Sequence, residues 1–110
     1  MSICQKAAII AVLALALPQS AWSQSRIAAG RALASANCSR CHAIGKTGAS
    51  PNPKSPPLRT LAAKYPLRDL EEAFAEGIEV GHEGQEMPEF VLEPVEIDAL
   101  LAYIGSLNRK

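Results

Sequence analysis

Asn37-Cys38-Ser39-Arg40-Cys41-His42-Ala43 is the stretch on which the reading of this chain turns. Cysteines three positions apart at the end of a helix lie on one side of it. Each thiol can add to one vinyl group of a porphyrin, and the histidine that follows lies where an imidazole can ligate the iron; C-x-x-C-H is the attachment pattern of haem c. Cys38 and Cys41 are read as the thioether sites of one covalently attached haem c per chain, and His42 as an iron ligand. Two rival chemistries use the same cysteines. A thioredoxin-type C-x-x-C belongs in a βαβ setting, and no strand is expected before Cys38. A structural zinc site needs four ligands; there is no second C-x-x-C, and a set completed by His42 and His82 would put the adjacent Cys41 and His42 on one ion.

Upstream, residues 26 to about 40 read as a helix rich in Ala, Arg and Leu. Gly30, Leu33, Ala34, Asn37, Cys38 and Cys41 fall on one face of it. Further upstream the pattern changes. Lys6 is the only charge before Arg26, and Ala7 to Leu17 is an unbroken apolar run of 11 residues. Pro18 ends the run, and Ala21-Trp22-Ser23 offers small residues at both positions a signal peptidase reads. A membrane-spanning helix needs about 20 apolar residues. Residues 1–23 are therefore expected to be a cleaved signal peptide and 24–110 the exported domain, in the periplasm. Cys4 would leave with the signal. The two remaining cysteines are too close in sequence to staple distant segments, so a disulfide framework is excluded for the mature domain.

Downstream, Gly45, Gly48, Pro51, Pro53, Pro56 and Pro57 punctuate a loop. A short helix is predicted at 58–64. Another follows Pro66, over about 67–75 and ending at Gly77, with Leu67, Leu70 and Phe74 along one side. Residues 78–90 form a second loop, expected to lack regular structure because of its glycines and Pro88. The last helix is predicted over about 94–107. Pro94 suits its first turn, Glu93, Glu96 and Asp98 complement its positive end, and Leu100, Tyr103, Ile104 and Leu107 form its apolar stripe. The fold class is all-α, about four helices packed around one covalently bound haem.

The iron's sixth ligand has three candidates: Met87, His82, or no protein ligand. Met87 is the only methionine besides Met1 and lies in a polar loop, EGQEMPEF, not on an apolar stripe. That placement favours it, and its thioether would raise the reduction potential.

Composition points the same way. Aromatic residues are only 5% of the chain, and small domains with so little bulk need a staple; a flat apolar macrocycle supplies one. Charge is uneven. Residues 26–68 hold eight basic side chains and no acidic one, while residues 69–110 hold eleven acidic side chains and two basic ones. Two mutually attracting solvated surfaces account for this, and a dipole that orients a partner is the other reading. The basic residues are scattered and lack interleaved aromatics, which argues against nucleic acid.

With these residues on the page, the chain resembles the small bacterial class I cytochromes c over about residues 30–107. The order of parts matches: helix, Cys38-Ser39-Arg40-Cys41-His42, proline-rich loop, helix, methionine loop, terminal helix. The resemblance implies a close crossing of the first and last helices at Gly30, opposite Leu100, Tyr103 and Ile104. It implies that Pro56, in Ser55-Pro56-Pro57-Leu58, accepts a hydrogen bond from His42 through its carbonyl, that Leu58 and Leu61 touch the haem face, and that Tyr65 reaches a propionate. The family usually has an aromatic residue four positions after the crossing glycine; here it is Ala34.

The expected function is electron transfer, not enzymatic catalysis. The iron would cycle between ferric and ferrous with His42 and Met87 in place. Partners would be larger redox proteins docking transiently on a monomer, near Arg40 and Lys46, with loose association to a membrane respiratory complex as another setting. The alternative is a haem c subunit of a dehydrogenase or oxidase complex, or a five-coordinate haem that binds small gases or peroxide.

Overall fold

The computed structural model describes residues 19–76, 81–82, 85–87 and 91–108. The apolar run at 7–17, Cys4, Gly77, Gly84 and Pro88 lie outside the described residues. Among the described residues there are four helices: α1 (Gln19–Asn37), α2 (Leu58–Lys64), α3 (Leu67–Glu76) and α4 (Pro94–Ser106). No helix among the described residues is long and apolar enough to cross a membrane.

Local chemistry explains most boundaries. Pro66 restricts the residue before it to extended backbone; Tyr65 accordingly has φ −127° and ψ 143° and stops α2. Pro94 occupies the first turn of α4. Glu93 and Glu96 form a reciprocal capping box there, the Glu93 N–H donating to Glu96 Oε2 at 2.8 Å. Asp98, expected to serve the same helix end, instead accepts from Arg26 on α1 at 3.3 Å.

Two expectations are corrected at α1. It already covers residues 19–25, upstream of the expected start and across Ala21-Trp22-Ser23, because Gln, Ala and Ser there tolerate helix well. It ends at Asn37, not near Arg40, and Asn37 is exposed rather than part of the buried face. Its amide folds back onto the Leu33 carbonyl at 2.9 Å, the local bonding that draws Asn to helix ends. A third correction falls in the loop at 78–90. Two short strands pair antiparallel, β1 (Gly81–His82) with β2 (Gln85–Glu86), Gly81 opposite Glu86 and His82 opposite Gln85. Only Glu83-Gly84 separates them in sequence, and an x-Gly pair is hairpin chemistry.

α4 is the hub: it packs on α1, α2 and α3. The core is Ala34, Cys38, Leu58, Phe74, Ile97, Leu100, Tyr103, Ile104 and Leu107. The α1–α4 crossing is at backbone contact. A Cβ on Gly30 would lie 2.0 Å from the Ala99 carbonyl oxygen and 2.7 Å from Tyr103 Cβ. The partners at the closest point are thus Ala99 and Tyr103, not Leu100 and Ile104. Ala34, one turn on, is fully buried. Leu67, though 38% exposed, packs its Cδ1 beside Gly105 of α4.

Candidate functional site

The site begins where side chains take over the last carbonyls of α1. Asn37 caps Leu33, and Ser39 Oγ donates to the Ser35 carbonyl at 2.6 Å. The backbone then makes one further turn over the motif. Cys38 N–H donates to the Ala34 carbonyl at 2.8 Å, and the Cys41 and His42 N–H groups both donate to the Cys38 carbonyl, at 3.2 and 2.9 Å. The turn carries Cys38 into the core at 5% exposure and leaves Cys41 and His42 half-buried. Both thiols are free. Burial pushes the Cys38 thiol up from 9.0 to about 11, since removal from water disfavours the thiolate.

The imidazole is oriented from the proline-rich loop. His42 Nδ1 lies 2.6 Å from the Pro56 carbonyl oxygen. A carbonyl only accepts, so Nδ1 carries a proton, and in the neutral imidazole the lone pair then lies on Nε2. This is the tautomer a metal-bound histidine takes when its other nitrogen is held by a backbone carbonyl.

That loop is itself tied down. Leu58 N–H donates to the Ala43 carbonyl at 2.9 Å and Asn52 N–H to the Cys41 carbonyl at 3.1 Å. Ser50 Oγ accepts from the Ala43 N–H at 2.9 Å. Arg59 Nη2 donates to the carbonyl of Gly48 at 2.7 Å, and Gly48 has a φ of 95° that suits glycine. Tyr103 Oη donates to the Ile44 carbonyl at 2.5 Å.

The structure brings His42 and Pro56 together and seats Leu58 in the core beside them, with Leu61 partly buried against it. Met87 is half-buried, directly after β2. His82 sits in β1 opposite Gln85, and its ring lies outside what is described. Tyr65 is 43% exposed, with Lys64 Nζ 5.3 Å from its ring centroid. Among the described residues no group of three or more His, Cys, Asp or Glu side chains is placed to hold a metal ion.

Sequence reasoning missed Ser50 and the hydroxyl of Tyr103. Ser50 lay in a stretch read only as punctuation. Tyr103 was assigned to an apolar stripe, although a phenol on a buried stripe needs a hydrogen-bond acceptor.

The donor set fits a haem: two free thiols on one turn, one of them in the core, followed by an imidazole whose Nε2 lone pair is available. These features define a class, a small all-α domain built to carry a covalent haem. A family model described as cytochrome c matches residues 27–108, and the chain belongs to the cytochrome c family. Members bind covalently attached haem c with its iron, serve electron transport, and are typically extracytoplasmic. Neither a curated protein nor a solved structure matches the chain.

Proposed function

We propose that this cytochrome c is an exported single-electron carrier with histidine–methionine ligation and no enzymatic activity of its own. The observation that carries the reading is the bond from His42 Nδ1 to the Pro56 carbonyl, immediately after Cys38-Ser39-Arg40-Cys41. Haem c, when bound, supplies an iron that changes oxidation state by one electron. The chain does the rest. Cys38 and Cys41 would hold the macrocycle by thioethers, His42 Nε2 and the Met87 sulfur would ligate the iron, and Leu58 and Leu61 would exclude water from the group. With both ligands supplied by the chain, no position would be left for a substrate.

Residues 1–23 act as the signal peptide, and the carrier works in the periplasm as a monomer. Its partners are larger redox proteins that dock briefly at the edge marked by Cys38 and Cys41. Arg40 and Lys46, both exposed, flank that edge and favour an acidic partner surface.

The test is an absorption spectrum, oxidised and reduced, of the exported protein and of Met87→Ala. The expected result is a haem that survives acid–acetone extraction, with a weak red iron–sulfur band in the oxidised protein that disappears in the variant. A haem without that band assigns the position to His82 or leaves it open. A colourless protein after expression with the maturation machinery overturns the reading.

A further inference from the structure

Resting on the reading that His42 ligates the iron, the geometry points to Tyr103 as a positioning residue for that ligand, acting through the backbone of Ile44. The two ends of the Tyr103 side chain are fixed in different parts of the molecule. Its root lies in the α1–α4 crossing, where Gly30 and Ala99 are at backbone contact. Its hydroxyl donates to the Ile44 carbonyl, 59 residues away in sequence and two residues after His42. The residue is 6% exposed and Ile44 half-buried, so this bond is partly shielded from competing water.

The residues from His42 to Ile44 are held from two sides, by the proline-rich loop with the start of α2 and by α4. His42 is bonded to Pro56. Ala43 is bonded to Ser50 through its N–H and to Leu58 through its carbonyl. Ile44 is bonded to Tyr103 on α4. The first two attachments fix the imidazole relative to the proline-rich loop and the start of α2. The His42 and Asn52 N–H groups, bonded to the Cys38 and Cys41 carbonyls, tie the same segment to the turn that continues from α1, and Asn108 Nδ2, bonded to the Arg59 carbonyl, ties α2 to the end of α4. Tyr103 adds a direct link from the helix crossing to the ligand's own segment: α4 packs on α1 at Gly30 and holds Ile44 with its phenol. Its hydroxyl therefore helps to set where His42 sits relative to the α1–α4 crossing.

The test uses the haem-loaded protein. Tyr103→Phe keeps the ring in the crossing and removes only the hydroxyl; Ile97→Val, a buried change on the same helix that touches none of these bonds, is the control. The order and spread of the four haem methyl resonances in the oxidised protein report the orientation of the axial ligands, and the midpoint potential is measured alongside. Tyr103→Phe is expected to displace the methyl resonances by more than their linewidths and to move the potential, while Ile97→Val leaves both at wild-type values. A Tyr103→Phe protein that is less stable but has the wild-type methyl pattern and potential overturns the inference and leaves Tyr103 a purely structural residue. Should Tyr103→Phe not accumulate, 3-fluorotyrosine incorporated in a Tyr65→Phe background alters the same hydroxyl bond without removing it. A smaller displacement of the same methyls is then expected, and no displacement overturns the inference. Failure of the underlying functional reading shows separately, as a wild-type protein without covalent haem.

Discussion

Segments 38–58 and 81–92, which carry His42 and Met87, are built differently. The first is a network. Cys38 to Ile44 is bonded to α1, to Ser50, Asn52, Pro56 and Leu58, and to Tyr103 on α4. Every one of these bonds joins protein to protein, so His42 is oriented by the chain itself. The second, among the described residues, is a ladder of two residues per strand followed by the half-buried Met87. An isolated two-stranded hairpin is marginal in water. The comparison teaches that the histidine side is organised in advance by the chain's own bonds, whereas the described part of the methionine side shows a two-residue ladder and packing at Met87.

Four measurements sharpen or break that contrast. The largest effect is expected at the frame both segments hang on. Gly30→Ala would put a methyl group 2.0 Å from the Ala99 carbonyl oxygen, and since backbone must move, a loss of about 3 kcal/mol or more is expected in denaturant unfolding. A loss below about 1 kcal/mol would show the crossing to be looser than described. Met87→Ala comes next. It should abolish the red band and lower the reduction potential, with a stability loss of about 2 kcal/mol for a half-buried methionine. Complete unfolding of this variant would mean that the methionine side supports the fold as strongly as the histidine side, and the contrast would fail.

Ser50→Ala probes the histidine side. It leaves the Ala43 N–H without its partner in a partly buried place, an expected cost of about 1–2 kcal/mol, read by thermal melting of the reduced protein. The smallest effect belongs to Asp98→Ala. Its ion pair with Arg26 is 52% and 60% exposed on the two sides, so it should contribute less than about 0.5 kcal/mol and vanish into salt screening. This pair joins the basic half of the chain to the acidic half. A large, salt-sensitive effect would show that the charge asymmetry stabilises the fold.

Local signals were readable wherever cause and effect sit within a turn of each other. Pro57, Pro66 and Pro94 set the starts of α2, α3 and α4 because proline constrains its own φ and the residue before it. The period of Leu100, Tyr103, Ile104 and Leu107 marked the buried face of α4, and all four are core residues. The exposed Asn37 broke the same logic on α1: the period placed it on the inner face, but at a helix end its amide turns back to Leu33. The ladder in the methionine loop was hidden because glycines that prevent a helix are the same residues that permit a hairpin.

The sequence by itself determined the all-α class, three of the four helices nearly to the residue, and the attachment chemistry of Cys38-Ser39-Arg40-Cys41-His42, because spacing along a chain dictates which groups share one turn. Only the tertiary structure decided that Gly30 meets Ala99 and Tyr103, that Arg26 meets Asp98, and that the Tyr103 phenol holds Ile44. Those pairs lie 59 or more residues apart, and their meeting depends on how α1 and α4 cross, a choice made by the packing of whole helix faces that no local pattern records.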